Sequence, residues 1–168
     1  LSRSDDEPVD SHGSLARTGV LGVNGPGPGS TLMLRLLHTS DWHLGHTLHG
    51  RDRRFEHQRF LAWLLETLGE TRADALLIAG DVFETNLVDR QVVVRALDAM
   101  GATPDVTFYL LPGNHDPLDA SSVFRSDTFT ANQPANVVVL DTAEPVALAA
   151  SVELIGAPWF SKRPLCDL

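Results

Sequence analysis

The sequence predicts an α/β fold built on a parallel sheet. Two observations carry that prediction. Apolar runs of strand length alternate with segments whose apolar residues recur at helical spacing, and three of the runs end in short polar motifs: Asp41-Trp42-His43, Gly80-Asp81 and Gly113-Asn114-His115-Asp116. A strand, helix, strand, helix, strand order implies parallel pairing with right-handed crossovers, which collects the three motifs at one sheet edge.

Residues 1–32 are dominated by Ser, Asp, Gly and Pro, as in Gly25-Pro26-Gly27-Pro28-Gly29, and hold no sustained apolar period. Such a stretch buries too little surface to offset its ordering entropy and is expected to be a disordered tail, with Met33 as the native start. Residues 33–168 are expected to form the folded part. Leu34 to His38 reads as a buried strand broken by Thr39-Ser40-Asp41. Asp52 is placed to cap a helix in which Phe60, Leu64 and Leu68 share a stripe widened by Leu61 and Leu65, and Gly69 weakens its end. Ala75 to Ala79 is a second buried strand. The next helix carries Val88, Val92, Ala96 and Met100 at fourfold spacing beside Val93 and Leu97, with Gly101 placed to end it. Val106 to Leu111 is a third strand. Beyond Asp116, Val137 to Leu140, Val146 to Ala149 and Val152 to Ile155 are close-spaced β candidates, read as a meander joining or facing the sheet.

Composition narrows the function classes. A chain of 168 residues that is 43% apolar supports one core, and a formal charge of -9 disfavours nucleic-acid binding by bulk electrostatics unless metal ions or a local basic strip supply positive charge. The single cysteine, Cys166, excludes an intrachain disulfide and fits a reducing compartment. No apolar run reaches membrane-spanning length and no secretion signal is seen, so a cytoplasmic protein without a membrane partner is expected.

Open α/β sheets bind ligands beyond the carboxyl ends of their strands. Here those ends carry carboxylates, imidazoles and an amide, a donor set that suits manganese, iron or zinc. The bland alternative is that Asp41, Asp81 and Asn114 only cap turns and helices. Asp41-x-His43 and Gly80-Asp81 are weak signals alone; Gly-Asn-His-Asp is rare by chance, and the three in order form a strong one.

From Met33 onward the chain resembles the amino-terminal part of a calcineurin-like metallophosphoesterase, and in particular the SbcD-type DNA repair exonucleases. The resemblance rests on Leu37-His38-Thr39-Ser40-Asp41-Trp42-His43-Leu44-Gly45, Thr47-Leu48-His49-Gly50, Leu76-Leu77-Ile78-Ala79-Gly80-Asp81-Val82-Phe83 and Pro112-Gly113-Asn114-His115-Asp116. It implies a four-layer α/β/β/α sandwich, of which this chain holds the first half or so. It further implies two divalent metal ions, manganese foremost, with Asp41 and His43 on one, Asp81 bridging both and Asn114 on the second. His115 would act as acid or orienting group at the scissile phosphate. DNA, an SbcC-type ATPase and a second copy of the chain are the implied partners. The family also uses three further histidines, one isolated and two in a Gly-His-x-His pattern, and no histidine follows His115 here. The chain as given is therefore expected to be inactive, a non-catalytic fragment. A general metallophosphoesterase acting on small phosphodiesters or phosphoproteins is the other reading, and Thr47-Leu48-His49-Gly50 favours the nuclease.

The remaining histidines divide. His38 is expected to pack in the first strand, His57 to be solvated and His12 to lie too far off to substitute as a ligand. His46 and His49 are either substrate contacts or turn residues. Glu84 is read as orienting a ligand or the loop, without binding metal. Arg51, Arg53, Arg54 and Arg59 are either a solvated helix start or a strip for DNA phosphates, with Arg53 and Arg54 its central members.

Overall fold

The computed structural model describes residues 17–24, 31–48, 51–52, 54–149 and 152–163, and all structural statements concern these. The readings of His12, His49, Arg53 and Cys166 lie outside the described residues, as do the side-chain surroundings of Arg54.

Four parallel strands form the sheet: β2 (Thr31–Thr39), β5 (Ala75–Ala79), β6 (Thr107–Leu111) and β7 (Val137–Val139), with β1 (Arg17–Asn24) antiparallel at the β2 edge. Within the stretch read as a tail, β1 pairs along its full length, from Arg17 opposite His38 to Asn24 opposite Thr31. Such a strand gains ladder hydrogen bonds that a composition argument does not count. Residues 1–16 and 25–30 lie outside the described residues. Two-residue strands β3 (Thr47–Leu48) and β4 (Arg51–Asp52) pair with each other, so Asp52 sits in β4 rather than capping the helix that follows.

Helix α1 (Arg54–Thr71) connects β2 to β5, and α2 (Arg90–Gly101) connects β5 to β6. Gly69 does not end α1. Arg72 adopts a left-handed φ of 51°, the Arg72 N–H donates to Gly69 O and the Ala73 N–H to Leu68 O, and these two bonds satisfy the last carbonyls. α2 begins one residue past Val88, because Asp89 caps it by accepting from the Gln91 N–H at 2.7 Å. Between β6 and β7 a 3-10 turn (Val123–Arg125) and α3 (Asp127–Asn132), capped by Ser126, form where no helix was expected. That segment carries β7 around to run parallel with β6, with Phe108 opposite Val137. The expected meander therefore reduces to an antiparallel hairpin, β8 (Val146–Ala149) and β9 (Val152–Leu154).

Alternation along the strands sets the layers. Leu76, Ile78, Phe108 and Leu110 join the helices in the larger core with Leu64, Leu68, Val93 and Leu97. Ala75, Leu77, Tyr109 and Leu111 face the other way, against Val146, Leu148 and Leu154 of the hairpin. Helix layer, sheet and hairpin thus stack as α/β/β, three of the four expected layers among the described residues. The carboxyl ends of β2, β5 and β6 lie side by side in this order, which positions the site.

Candidate metal centre

Three loops, at residues 40–46, 80–87 and 112–117, leave the carboxyl ends of β2, β5 and β6. In the first, alternation decides which side chains remain available. Trp42 and Leu44 are buried, with the Trp42 indole N–H donating to Thr39 Oγ1 at 3.2 Å and its ring edge-on to Phe60 at 5.3 Å. Asp41 and His43 are left facing outward beside the second loop. That second loop is zipped to the first by backbone bonds: Asp41 N–H to Gly80 O, His43 N–H to Asp81 O, Leu44 N–H to Val82 O and Glu84 N–H to Leu44 O. Phe83, fully buried against Phe124, anchors it from below.

The third loop is tied to the second by carboxylates. Asp116, wholly buried, accepts from the Gly113 N–H at 2.8 Å with one oxygen and from the Phe83 N–H at 2.9 Å with the other. Asp81 Oδ1 accepts from the His115 N–H at 2.8 Å. Burial pushes the Asp116 carboxyl up to about 6, against the lowering effect of the two N–H groups, with the nearby Asp81 carboxylate adding a further rise. Gly113 is required by the close approach: a Cβ there would lie 2.5 Å from Asp81 N and closer still to Asp81 Oδ1. Asn86 adds a further tie, donating to Pro117 O and Asp119 Oδ1 and accepting from the Val123 N–H.

Asp41, His43 and Asp81 hold left-handed φ values of 56°, 46° and 53°. Each costs an ordinary residue on the order of 1–3 kcal/mol, and only the bonds between loops keep them there. These are three of the four non-glycine residues with positive φ among those described, and all three are residues read from the sequence as metal ligands.

The donor atoms of Asp41, His43 and Asp81 lie within 4.8 Å of one another, as do those of His43, Glu84 and His115. His43 Nε2 faces Asp41 Oδ1 at 3.8 Å, and its Nδ1 lies 2.9 Å from Glu84 Oε2 with the ring turned off the ideal hydrogen-bond line. The two carboxylates and an imidazole on strained, cross-tied backbone fit a hard-to-borderline divalent cation. Without cations, Asp41, Asp81 and Glu84 would repel a phosphodiester.

His115 is half-buried, its Nδ1 3.1 Å from the Glu84 carbonyl oxygen and its ring edge-on to His43 at 4.7 Å. Asn114 lies between Gly113 and His115 in the same loop, partly buried. His46 also reaches the site, 3.1 Å from Glu84 Oε2. His38 is half-buried within β2, away from the loops. His57, expected to be solvated, instead accepts a long 3.5 Å bond from the Gly45 N–H and backs the first loop. Arg59 is exposed on α1. Glu84 and Asp116 were the residues undervalued by sequence. Their only signals were Glu84 three places after Asp81 and Asp116 directly after His115, because the partners lie on other loops.

Comparison with known proteins gives a matching pattern. The profile of the calcineurin-like phosphoesterases matches residues 34–167. The SbcD component of nuclease SbcCD from Rhodobacter capsulatus is 43% identical over 88 residues, covering 50% of this chain and 22% of that protein. Its Escherichia coli K12 counterpart is 56% identical over 52 residues, 31% of this chain and 13% of its own length. That of Bacillus subtilis is 32% identical over 116 residues, 67% of this chain and 29% of its own length. The chain thus spans under a third of each of these relatives. Among solved structures, Pseudomonas putida nuclease MPE aligns with a TM-score of 0.48 and 18% identity, over 77% of this chain and 64% of that one. No helix among the described residues is long and apolar enough to cross a membrane.

Proposed function

Because the chain belongs to the calcineurin-like phosphoesterase family, we propose that it hydrolyses phosphodiesters with divalent metal ions, as part of an SbcD-type DNA exonuclease acting in DNA repair. The observation that carries this reading is the meeting of Asp41, His43 and Asp81, their donor atoms within 4.8 Å, on three residues of strained backbone. Asp41 and His43 hold one ion, Asp81 both and Asn114 the second, with manganese suited to this mix of oxygen and imidazole donors. When bound, such a pair of cations holds a phosphate oxygen, activates water and stabilises the attacking and leaving oxygens.

The side chains supply the rest. Asn114 contributes a neutral amide oxygen, adding no further negative charge opposite an anionic substrate. His115 gives its Nδ1 proton to the Glu84 carbonyl, so Nε2 is the nitrogen that donates when the ring is protonated, helping expel an alkoxide. His46, His49, Arg53 and Arg54 are the proposed contacts to the substrate. Similarity to the SbcD components of SbcCD nucleases supports DNA as substrate, an SbcC-type ATPase and a second copy as partners, and a cytoplasmic setting.

The test is a manganese titration with a chromogenic phosphodiester and with linear duplex DNA, in parallel with Asp81→Asn. Manganese-dependent digestion of DNA that the variant loses supports the exonuclease. The family profile is not specific to nucleases, so a second reading is a general phosphoesterase for small phosphodiesters or phosphoproteins. Turnover of the chromogen alone favours it. Turnover of neither substrate overturns both.

A further inference from the structure

Glu84 stands at the meeting point of three imidazoles. Its Oε2 lies 2.9 Å from His43 Nδ1 and 3.1 Å from His46 Nδ1, and its Oε1 lies 3.7 Å from His115 Nδ1. The backbone builds this arrangement from both sides. The His46 N–H donates to His43 O at 3.0 Å, closing a turn that brings the two rings to the same oxygen. Gly45, inside that turn, takes a φ of 92° and packs so tightly on Val88 that a Cβ would strike its Cγ2. From the other side, the Glu84 N–H donates to Leu44 O, fixing the carboxylate against the same turn.

A neutral imidazole carries one proton, and which nitrogen holds it decides which one offers a lone pair. A carboxylate against Nδ1 draws the proton there. Nε2, the nitrogen that faces Asp41 Oδ1 at 3.8 Å, is then bare. We propose that Glu84, sharing its Oε2 between His43 and His46, is a positioning residue that holds His43 in the tautomer protonated at Nδ1 and so presents Nε2 to a cation. The inference rests on the reading of His43 as a metal ligand given above and deepens it. Carboxylates behind metal-binding imidazoles raise ligand basicity and fix ring orientation, and their loss commonly weakens metal affinity about ten- to a hundredfold. His46 has a part that no metal-ligand role would give it: as second donor to Oε2 it holds the carboxylate in place for His43.

The experiment is nitrogen NMR of histidine-labelled chain in chelator, with His43 assigned by comparison with His43→Asn. The wild-type spectrum is expected to show the His43 proton on Nδ1. Glu84→Met removes the acceptor and is expected to shift the tautomer ratio toward Nε2 about tenfold or more, the scale of a hydrogen bond to a charged group. Glu84→Gln retains a neutral acceptor and should fall between. His46→Gln keeps the Glu84–His43 contact and should change the ratio less than Glu84→Met does. A wild-type His43 protonated mainly at Nε2 overturns the proposal whether or not any variant folds, and so does a Glu84→Met protein that folds with the ratio unchanged. Manganese titration of the wild type separates this from the parent reading. Binding with the Nε2 tautomer sinks only the role of Glu84, while the Nδ1 tautomer without binding sinks only the metal site.

Discussion

Gly113→Ala adds a single methyl group where the second and third loops touch. The new Cβ would lie 2.5 Å from Asp81 N and 2.9 Å from Asp81 Cγ, with Asp81 Oδ1 nearer still. Ordinary contact for carbon is roughly 3.5 Å, so relief requires the loops to part by about 1 Å. Asp81 has no free direction of retreat: its Oδ1 is bonded to the His115 N–H, its carbonyl to the His43 N–H, and its φ is already 53°. Overpacking of this kind costs about 1–3 kcal/mol, and a 1 Å misplacement of a reacting group costs on the order of a hundredfold in rate. Urea unfolding and manganese titration measure the two effects. The expected outcome is a loss of about 1–3 kcal/mol together with a large loss of metal affinity. Gly69→Ala is the matched control, since that glycine lies within α1 with nothing within 4 Å of its added Cβ, and there alanine should stabilise by about 0.5–1 kcal/mol. A Gly113→Ala protein as stable as wild type and with equal manganese affinity would refute the close-approach argument.

Phe83→Ala removes a fully buried ring packed 5.9 Å from Phe124 beneath the second loop, and should cost about 3–5 kcal/mol in urea unfolding; a loss under about 1 kcal/mol would mean that the loop is not anchored from below. Asp116 provides a pH test in chelator. Its folded value of about 6 lies above the ordinary 3.8, so between those values the folded chain holds a proton that the unfolded chain has released. Its contribution therefore falls as pH rises from about 4 to about 6, and wild-type stability minus that of Asp116→Asn should decline across that window. A difference that rises there contradicts the assigned burial. Asp89→Ala should cost about 1 kcal/mol through the lost cap of α2 while leaving manganese binding unchanged, because the cap is remote from the Asp41 and Asp81 carboxylates in function; altered metal affinity would show that α2 and the site are coupled.

The strands that carry the motifs were the most legible parts of the chain. Ala75–Ala79 and Thr107–Leu111 are near-continuous apolar runs because a parallel strand covered on both faces needs apolar side chains on both. The end of α1 was misread at Gly69 because the stop lies in Arg72, whose left-handed conformation is selected by the two bonds it completes and has no residue signature. Asp52 looked like a cap but pairs in β4, a contact of the tertiary fold. The direction of β7 was equally hidden: Val137–Val139 could pair either way, and the crossover through α3 decides it. At the site, Asp41, His43, Asp81 and His115 could be placed from strand ends alone. Glu84 and Asp116 could not, since a carboxylate that ties loops together is recognised only by what it touches on a distant stretch of chain.

The most direct measurement is calorimetric titration of manganese into the metal-free chain and into Asp81→Asn. The asparagine keeps the oxygen that accepts from the His115 N–H, so the loops should retain their contacts while the central carboxylate charge is lost. Saturable binding by the wild type, weakened about tenfold or more in Asp81→Asn at unchanged melting temperature, is the predicted result. Equal affinities in the two proteins, or no saturable binding in the wild type, would contradict the assignment of these loops as a metal centre.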